Sequence, residues 1–268
     1  MLNIVKLLGL KHRYFVHLAY NGKNFFGWQI QKKNITVQSV LSNCFTKLLG
    51  EEIMPVGAGR TDTGVHASYY IAHIDTSVAD LDSNEKFVTK INSFLPPDIV
   101  IYNIYKVKDD AHARFSAISR TYKYYFSNVK NPFRNDFSYF WHQDLDIQKM
   151  NEAAKVLFEY VDFECFSKTH SDTKTNICKI YIAEWTKDEN GLIFTIKADR
   201  FLRNMVRAIV GTMFDIGVGK KSIEDLHNII KSKNRSNSGK SFPAKGLFLT
   251  DIEYNDGIIH LKDKKNEI

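Results

Sequence analysis

The chain has 268 residues, of which 44% are hydrophobic and 25% are charged. This length suits one large domain or two ordinary ones with a substantial core, and the composition excludes a disordered or fibrous protein. Lys and Arg outnumber Asp and Glu by 37 to 30, for a net charge of +7, which modestly favours a polyanionic partner such as nucleic acid.

Signals for membrane insertion or secretion are missing from the sequence. No run approaches the roughly 20 apolar residues of a membrane helix, and residues 1–10 are interrupted by Lys6 and lack a small-residue cleavage site. Cys44, Cys165 and Cys178 are odd in number and far apart, so they indicate neither a disulfide framework nor a Cys-x-x-Cys metal site. We expect a cytoplasmic protein with three reduced cysteines and no metal.

The first half of the chain alternates strand and helix patterns. Residues 13–20 alternate and are rich in β-forming residues, and Asn21-Gly22 supplies a turn before residues 25–29. Thr36 is a suitable N-cap for a helix with one apolar face that ends at Gly50. Three elements follow: a strand over 69–75, a helix over 84–95 with Phe87, Val88, Ile91, Phe94 and Leu95 inward, and a strand over 99–107.

The second half repeats this alternation after a polar boundary at residues 108–112. Its predicted strands cover 119–127, 177–185 and 192–198, and a closing hairpin has strands over 247–253 and 258–261. Its predicted helices cover 147–158, 201–216 and 222–230. The first of these helices has Met150, Ala153, Ala154, Leu157 and Phe158 on one side. The pattern predicts an α+β fold with mostly antiparallel sheets covered by helices on one side, divided into domains at residues 1–110 and 111–268.

The stretch from residue 57 to residue 67 reads Gly-Ala-Gly-Arg-Thr-Asp-Thr-Gly-Val-His-Ala. Its glycines allow a tight turn and close approach to a ligand, and they place Arg60 and Asp62 on a loop before a strand, a common location for reactive groups. An Asp in such a loop is most often a turn former that bonds to its own backbone. The Asp-Thr-Gly within it also occurs in aspartic proteases, whose chemistry needs a second carboxylate, and no second Asp-Thr-Gly or Asp-Ser-Gly occurs here.

Residues 59–66 match at every fixed position the signature Gly-Arg-Thr-Asp-x-Gly-Val-His of the TruA family of tRNA pseudouridine synthases, which this chain resembles. The resemblance implies that Asp62 is the catalytic residue, acting without a cofactor. It also implies the pseudouridine synthase fold, two similar halves with the active-site cleft between them. The expected substrate is uridine in the anticodon stem-loop of tRNA, and the expected assembly is a homodimer.

Further family-like motifs occur in order along the chain. One is Tyr20-x-Gly22-x-x-Phe25-x-Gly27-Trp28-Gln29-x-Gln31, followed by Val37-Gln38; core packing is the alternative explanation for its aromatic residues. Residues 112–117 lead into the strand that follows and include Arg114, a candidate for substrate binding. Arg60, beside Asp62, would hold the position vacated by the target base or bind a phosphate.

Residues 119–127 place Arg120, Tyr122, Tyr124 and Phe126 on one face of a strand. Cations next to exposed rings suit a single-stranded RNA surface, because bases stack on aromatic rings while phosphates bind Lys and Arg. Burial in a core is the alternative, which we favour for Tyr124 and Phe126. Tyr122 falls where the family places the tyrosine that stacks on the target base.

Arg200, Arg203 and Arg207 are spaced three and four apart, which on a helix would form one cationic stripe, ordinarily a solvated face. The resemblance instead implies that Arg207 pairs with Asp62 and keeps that carboxylate ionised. Residues 231–245 are basic and rich in Ser and Asn, which predicts a flexible loop that could contact phosphates.

Near the C-terminus, Pro-Ala-x-Gly-Leu-x-Leu over residues 243–249 resembles the closing motif of the family. Leu247 would pack against the target nucleotide or the tyrosine, or would simply be a core residue. The chain departs from the family at Tyr69-Tyr70, where Gly-Gln is usual, and this puts RNA affinity or substrate preference in question. A non-catalytic RNA-binding protein of the same fold is the alternative function.

Overall fold

The protein is described here from a computed structural model covering residues 11–168 and 174–258. Through this part of the chain runs one sheet, with five helices packed on it. The strands are β1 His12–Tyr20, β2 Val56–Gly57, β3 His66–Thr76, β4 Ile99–Lys106, β5 Ala117–Ser127, β6 Tyr139–Phe140, β7 Ile180–Asp188, β8 Gly191–Ala198 and β9 Leu247–Tyr254. The helices are α1 Val37–Leu49, α2 Glu85–Phe94, α3 Ile147–Val156, α4 Met205–Gly217 and α5 Ile223–Ser232.

The two halves of the chain contribute to one continuous sheet rather than to one sheet each. Its order is β4-β1-β3-β9-β5-β8-β7, with β2 beside β3 and β6 beside β5. Strand β9 lies between the two halves, parallel to β3 and antiparallel to β5. The β5–β6 pair is also parallel, and the remaining pairs are antiparallel. The predicted α+β class with mostly antiparallel pairing is confirmed.

Each half has its own apolar core. In the first half, residues of α1 and α2 such as Phe45 and Ile91 pack with strands β1 and β3. In the second half, α3, α4 and α5 cover β5, β7 and β8, where Tyr124 and Phe126 are buried as predicted. Tyr122 packs against both cores. It therefore lies at the junction, while the division into domains at residues 110 and 111 stays a prediction.

Helix α1 begins and ends where its sequence predicts. The Thr36 side chain accepts a hydrogen bond from the amide of Ser39, and the Ser39 side chain accepts one from the amide of Thr36, so two otherwise unpaired amide groups are satisfied. Gly50 ends the helix with φ at +72°, a conformation that favours glycine. All three cysteines are free and buried, and none of the described helices is long and apolar enough to cross a membrane.

Several predicted boundaries and one-sided faces are wrong. Phe94 and Phe158, which were expected to face inward, are exposed. Phe158 lies in a 3₁₀ turn where the helical period tightens, so it leaves the buried face of α3. Helix α4 begins four residues later than predicted because Asn204 has φ at +67°, which ends the helical conformation there. The strand predicted at 258–261 lies almost wholly outside the described residues.

The glycine at the end of β2 provides a test of packing beneath the loop that follows it. A methyl group on Gly57 would overlap the Tyr70 hydroxyl and the Trp28 ring, whereas one on Gly59 meets nothing within 4 Å. We expect Gly57→Ala to lower the free energy of unfolding by about 1 to 3 kcal/mol, and the matched control Gly59→Ala by less than about 0.5 kcal/mol. Urea denaturation measures both variants, and equal losses would contradict the packing described.

Candidate active site

The loop between β2 and β3, residues 58–65, rests on the segment that follows β1. The Trp28 amide donates to the Thr61 carbonyl at 3.3 Å, and the Gly64 amide donates to the Phe25 carbonyl at 3.2 Å. Gly27 has φ at +82° and a side chain there would overlap the Thr61 carbonyl, so the two segments meet backbone to backbone. The aromatic residues of the N-terminal motif therefore pack in the core, which was the alternative explanation for them. They also support this loop.

Two buried tyrosines fix the loop from beneath. The hydroxyl groups of Tyr20 and Thr61 are 2.9 Å apart, and the Tyr70 hydroxyl donates to the Gly59 carbonyl at 2.5 Å. Tyr70 also stacks on Trp28, with ring centroids 4.3 Å apart. The Tyr70 side chain is fully buried. It therefore supports the loop from inside the protein, and the departure from the family at this position does not place its ring on the surface.

Arg120 also has a structural role, although the sequence pattern grouped it with an RNA-facing surface. Its guanidinium donates to the carbonyl oxygens of Ala58, Arg114, Ala117 and Asp199 at 2.5 to 3.1 Å. These bonds connect β5 to the backbone at the start of the loop. Because its donors point at four carbonyls inside the protein, Arg120 is not free to bind a phosphate, and that part of the prediction is wrong.

The Asp62 carboxylate meets two arginines from the other half of the chain. Its Oδ2 is 3.3 Å from Nη1 of Arg207, and its Oδ1 is 4.0 Å from Nε of Arg203. The Asp62 side chain is 26% exposed, so a molecule in solution can reach the carboxylate. The predicted pairing of Asp62 with Arg207 is present in this geometry. The sequence pattern does not predict the contact between Arg203 and Asp62, although it places Arg203 four positions before Arg207.

Arg207 is fixed by more than the carboxylate. Arg207 lies in the first turn of α4. Its Nε donates a hydrogen bond to the Phe242 carbonyl at 2.5 Å, and its backbone carbonyl accepts one from the Phe242 amide at 3.1 Å. Phe242 is buried and packs against Tyr124, Phe126 and Phe214. The guanidinium is therefore held between the aromatic core of the second half and the carboxylate of the first.

Tyr122 lies beside this ion pair. Its ring meets Phe201 edge to face, with centroids 5.2 Å apart. Burial raises the pKa of Tyr122 to about 12, and the Asp62 carboxylate adds to the rise while Arg120 opposes it. The side chain is therefore a neutral phenol at neutral pH, able to donate a hydrogen bond or to stack.

The three remaining predicted site residues are differently placed. Arg60 and Arg114 are exposed and line one open pocket next to Trp28 and Gln29. In the described part of the chain the Arg60 side chain has no hydrogen bond or ion pair, so its cation is available to a ligand. Leu247 is buried in the core of the second half, opposite Tyr124 on β5. Its predicted contact with substrate remains a prediction.

The sequence pattern missed a network behind Arg203 and Arg207. Arg235 donates to Ser238 Oγ, to the Gly239 carbonyl at 3.2 Å and to Ser241 Oγ at 2.7 Å. Ser241 Oγ also accepts from Asn204 Nδ2 at 2.6 Å. These bonds hold residues 235–241 against the start of α4, so this part of the predicted flexible loop is fixed. The positive φ of Asn204 also breaks the predicted arginine stripe, because Arg200 and Arg203 precede the helix.

Comparison with known proteins shows which family the chain resembles. The family model described as tRNA pseudouridine synthase matches residues 153–255, which places the second half of the chain in the class of pseudouridine synthases. Three relatives named tRNA pseudouridine synthase A match almost the whole chain. The one from Bacteroides fragilis is 53% identical over 243 residues, 90% of this chain and 96% of that protein.

The second relative, from Bacteroides thetaiotaomicron, is 48% identical over 257 residues, 95% of each chain. The third, from Thermoanaerobacter pseudethanolicus, is 40% identical over 239 residues, 88% of this chain and 97% of that protein. The chain belongs to the tRNA pseudouridine synthase A family.

The network behind the arginines gives a test. Arg235→Ala removes the three hydrogen bonds that hold residues 238–241. We expect the free energy of unfolding to fall by about 1 to 3 kcal/mol. We also expect the single-turnover rate on saturating tRNA to fall about tenfold, equivalent to about 1.4 kcal/mol in the barrier, because Arg207 is held less firmly.

The matched control is Lys231→Ala, which removes an exposed cation from the end of α5 nearby. It should leave both quantities within about twofold of the unmodified protein, as is usual for surface substitutions. A loss of stability in Arg235→Ala with no change in rate would show that the network supports the fold and has no effect on Arg207.

Proposed function

We propose that this chain isomerises uridine to pseudouridine in the anticodon stem-loop of tRNA, with Asp62 as the catalytic residue. The observation that supports the proposal most strongly is the pairing of Asp62 Oδ2 with Arg207 Nη1 at 3.3 Å, beside the Tyr122 ring. A turn-forming aspartate needs no guanidinium from the other half of the chain. A carboxylate that takes part in a reaction does, because a charge-assisted hydrogen bond holds it in one orientation.

The reaction conserves atoms, so the site needs only to break one bond and form another. The C1′–N1 glycosidic bond breaks, the uracil turns, a C1′–C5 bond forms, C5 loses its proton and N1 gains one. Asp62 can begin this by attacking C1′ of the ribose, by attacking C6 of the uracil, or by removing a proton, and the geometry is compatible with each. The net change requires no oxidant, reductant or cosubstrate.

The neighbouring side chains have separate roles in this proposal. The target base must leave its stack, at a cost of a few kcal/mol, before its glycosidic bond can be reached. Tyr122 stacks on the extruded base, and its hydroxyl can donate a hydrogen bond or a proton because it stays neutral. Arg207 holds the Asp62 carboxylate in position. Arg60, which is exposed in the loop, binds a phosphate or fills the position that the base has left, and Arg114, exposed nearby, binds the substrate.

The partner in this proposal is tRNA, which the net charge of +7 favours. The protein acts in the cytoplasm. It acts there as a homodimer, which suits a tRNA that is larger than the surface of one subunit. Leu247 completes the floor beneath the base. A non-catalytic RNA-binding protein of the same fold is the alternative function, and the experiment below distinguishes the two.

Asp62→Asn removes the negative charge and keeps the shape of the side chain. We expect it to bind unmodified tRNA with a dissociation constant within about threefold of the original protein, and to lower the rate of pseudouridine formation by at least about 10³-fold, since the reacting group is lost. Chemical labelling of pseudouridine in tRNA, followed by mapping of the labelled position, measures the product.

Asp80→Asn is the matched control. Asp80 is exposed and its side chain makes no capping hydrogen bond, so this variant should keep full activity. Full activity in Asp62→Asn would refute the assignment of the catalytic residue. Tight tRNA binding by the unmodified protein without any product would support the non-catalytic alternative. Product outside the anticodon arm would refute the proposed substrate region.

A further inference from the structure

The two arginines beside Asp62 are held in different ways. Arg207 is 20% exposed and donates to the Phe242 carbonyl as well as to the carboxylate. The Arg203 side chain is 58% exposed, and its contact with Asp62 at 4.0 Å is too long for a hydrogen bond. Within the described residues its guanidinium donates no hydrogen bond. Arg207 is thus a fixed cation and Arg203 a loosely held one.

The two arginines also face different oxygens of the carboxylate. Arg207 lies next to Oδ2 and Arg203 next to Oδ1. If both stayed in place, each oxygen would be covered by a cation. Because only the Arg203 contact is weak and exposed, Oδ1 is the oxygen that can be uncovered at little cost.

The backbone of Arg203 is fixed although its side chain is not. Its carbonyl accepts from the Lys168 amide at 2.9 Å, and the next residue, Asn204, has φ at +67° and is bonded to Ser241. Asparagine adopts the left-handed conformation more readily than most residues other than glycine, and here the hydrogen bond to Ser241 holds it. Here it turns the chain so that residues on either side of Asn204 reach the same carboxylate.

Charge balance gives the loose cation a second partner. RNA brings a phosphate on each side of the target nucleotide, and these anions must come close to the Asp62 carboxylate. Two guanidinium groups against one carboxylate leave a net positive charge, so the site can accept one phosphate without unpaired negative charge. An arginine binds phosphate well because its planar donors match two phosphate oxygens.

From these observations, and resting on the function proposed above, we propose that Arg203 is a displaceable substrate-binding residue. In the free protein it covers Oδ1 of Asp62. When RNA binds, Arg203 moves to a backbone phosphate next to the target uridine, and this uncovers Oδ1 as the reacting oxygen. Arg207 stays on Oδ2 throughout. Substrate binding and exposure of the reacting oxygen are then one event.

The first test measures tRNA affinity at several salt concentrations and the single-turnover rate at saturating tRNA for Arg203→Ala. We expect the dissociation constant to rise about tenfold and the slope of log affinity against log salt to fall by about 0.7 to 0.9, the value for one lost phosphate contact. The rate constant at saturation should fall less than about threefold, because the reacting groups are intact.

The matched control is Lys220→Ala, which removes one exposed cation beyond the far end of α4 and should change neither quantity by more than about twofold. Unchanged affinity and salt slope in Arg203→Ala would overturn the proposal. So would a fall in the saturating rate of about a hundredfold or more, because Arg203 would then act on the reaction rather than on binding.

A second test addresses displacement and does not depend on activity. Asp62→Asn removes the group that competes with phosphate for Arg203, so it should tighten tRNA binding about twofold to threefold, and this gain should disappear when Arg203→Ala is also present. An equal gain in both backgrounds would mean simple charge repulsion and would refute displacement. If the unmodified protein binds tRNA without forming product, the proposed function fails while this cycle still tests the movement of Arg203.

Discussion

In the proposed mechanism, a carboxylate from one half of the chain must meet a guanidinium from the other half. Asp62 and Arg207 are 145 positions apart in the sequence, and their side chains are 3.3 Å apart in the structure. Neither group is fully buried, so the pair contributes little to stability by itself. The pair matters because the elements that position Asp62 and those that position Arg207 must both be in place before the two side chains can meet.

Two structural features make that meeting possible. The parallel pairing of β3 with β9 joins the halves through His66 and Ala67, just after the loop that carries Asp62. The second feature is support from behind each partner: buried tyrosines and the segment around Trp28 hold the loop, while Phe242 holds Arg207. The loop therefore carries the Asp62 carboxylate on a fixed backbone, although loops of its length are often mobile.

Local patterns were sufficient to predict most elements, because periodicity, caps and turn residues act over a few positions, as Thr36 and Gly50 illustrate. The α+β class could be predicted for the same reason, and the Asp62 loop from its resemblance to a known family. What could not be predicted depends on distant parts of the chain. Arg120 and Tyr70 have polar groups typical of a surface, yet their partners are carbonyl groups brought together only by folding. The left-handed Asn204 likewise depends on Ser241.

The central claim is that the guanidinium of Arg207 acts on the Asp62 carboxylate rather than on RNA binding, and Arg207→Gln tests it directly. Glutamine keeps a hydrogen-bond donor and removes the charge. Single-turnover rates and tRNA affinities should be measured together, with thermal unfolding as a check on folding. We expect the rate at saturating tRNA to fall at least about a hundredfold, near 2.7 kcal/mol in the barrier, with affinity changed less than about threefold. A folded variant that kept its rate, or that lost only affinity, would contradict the claim.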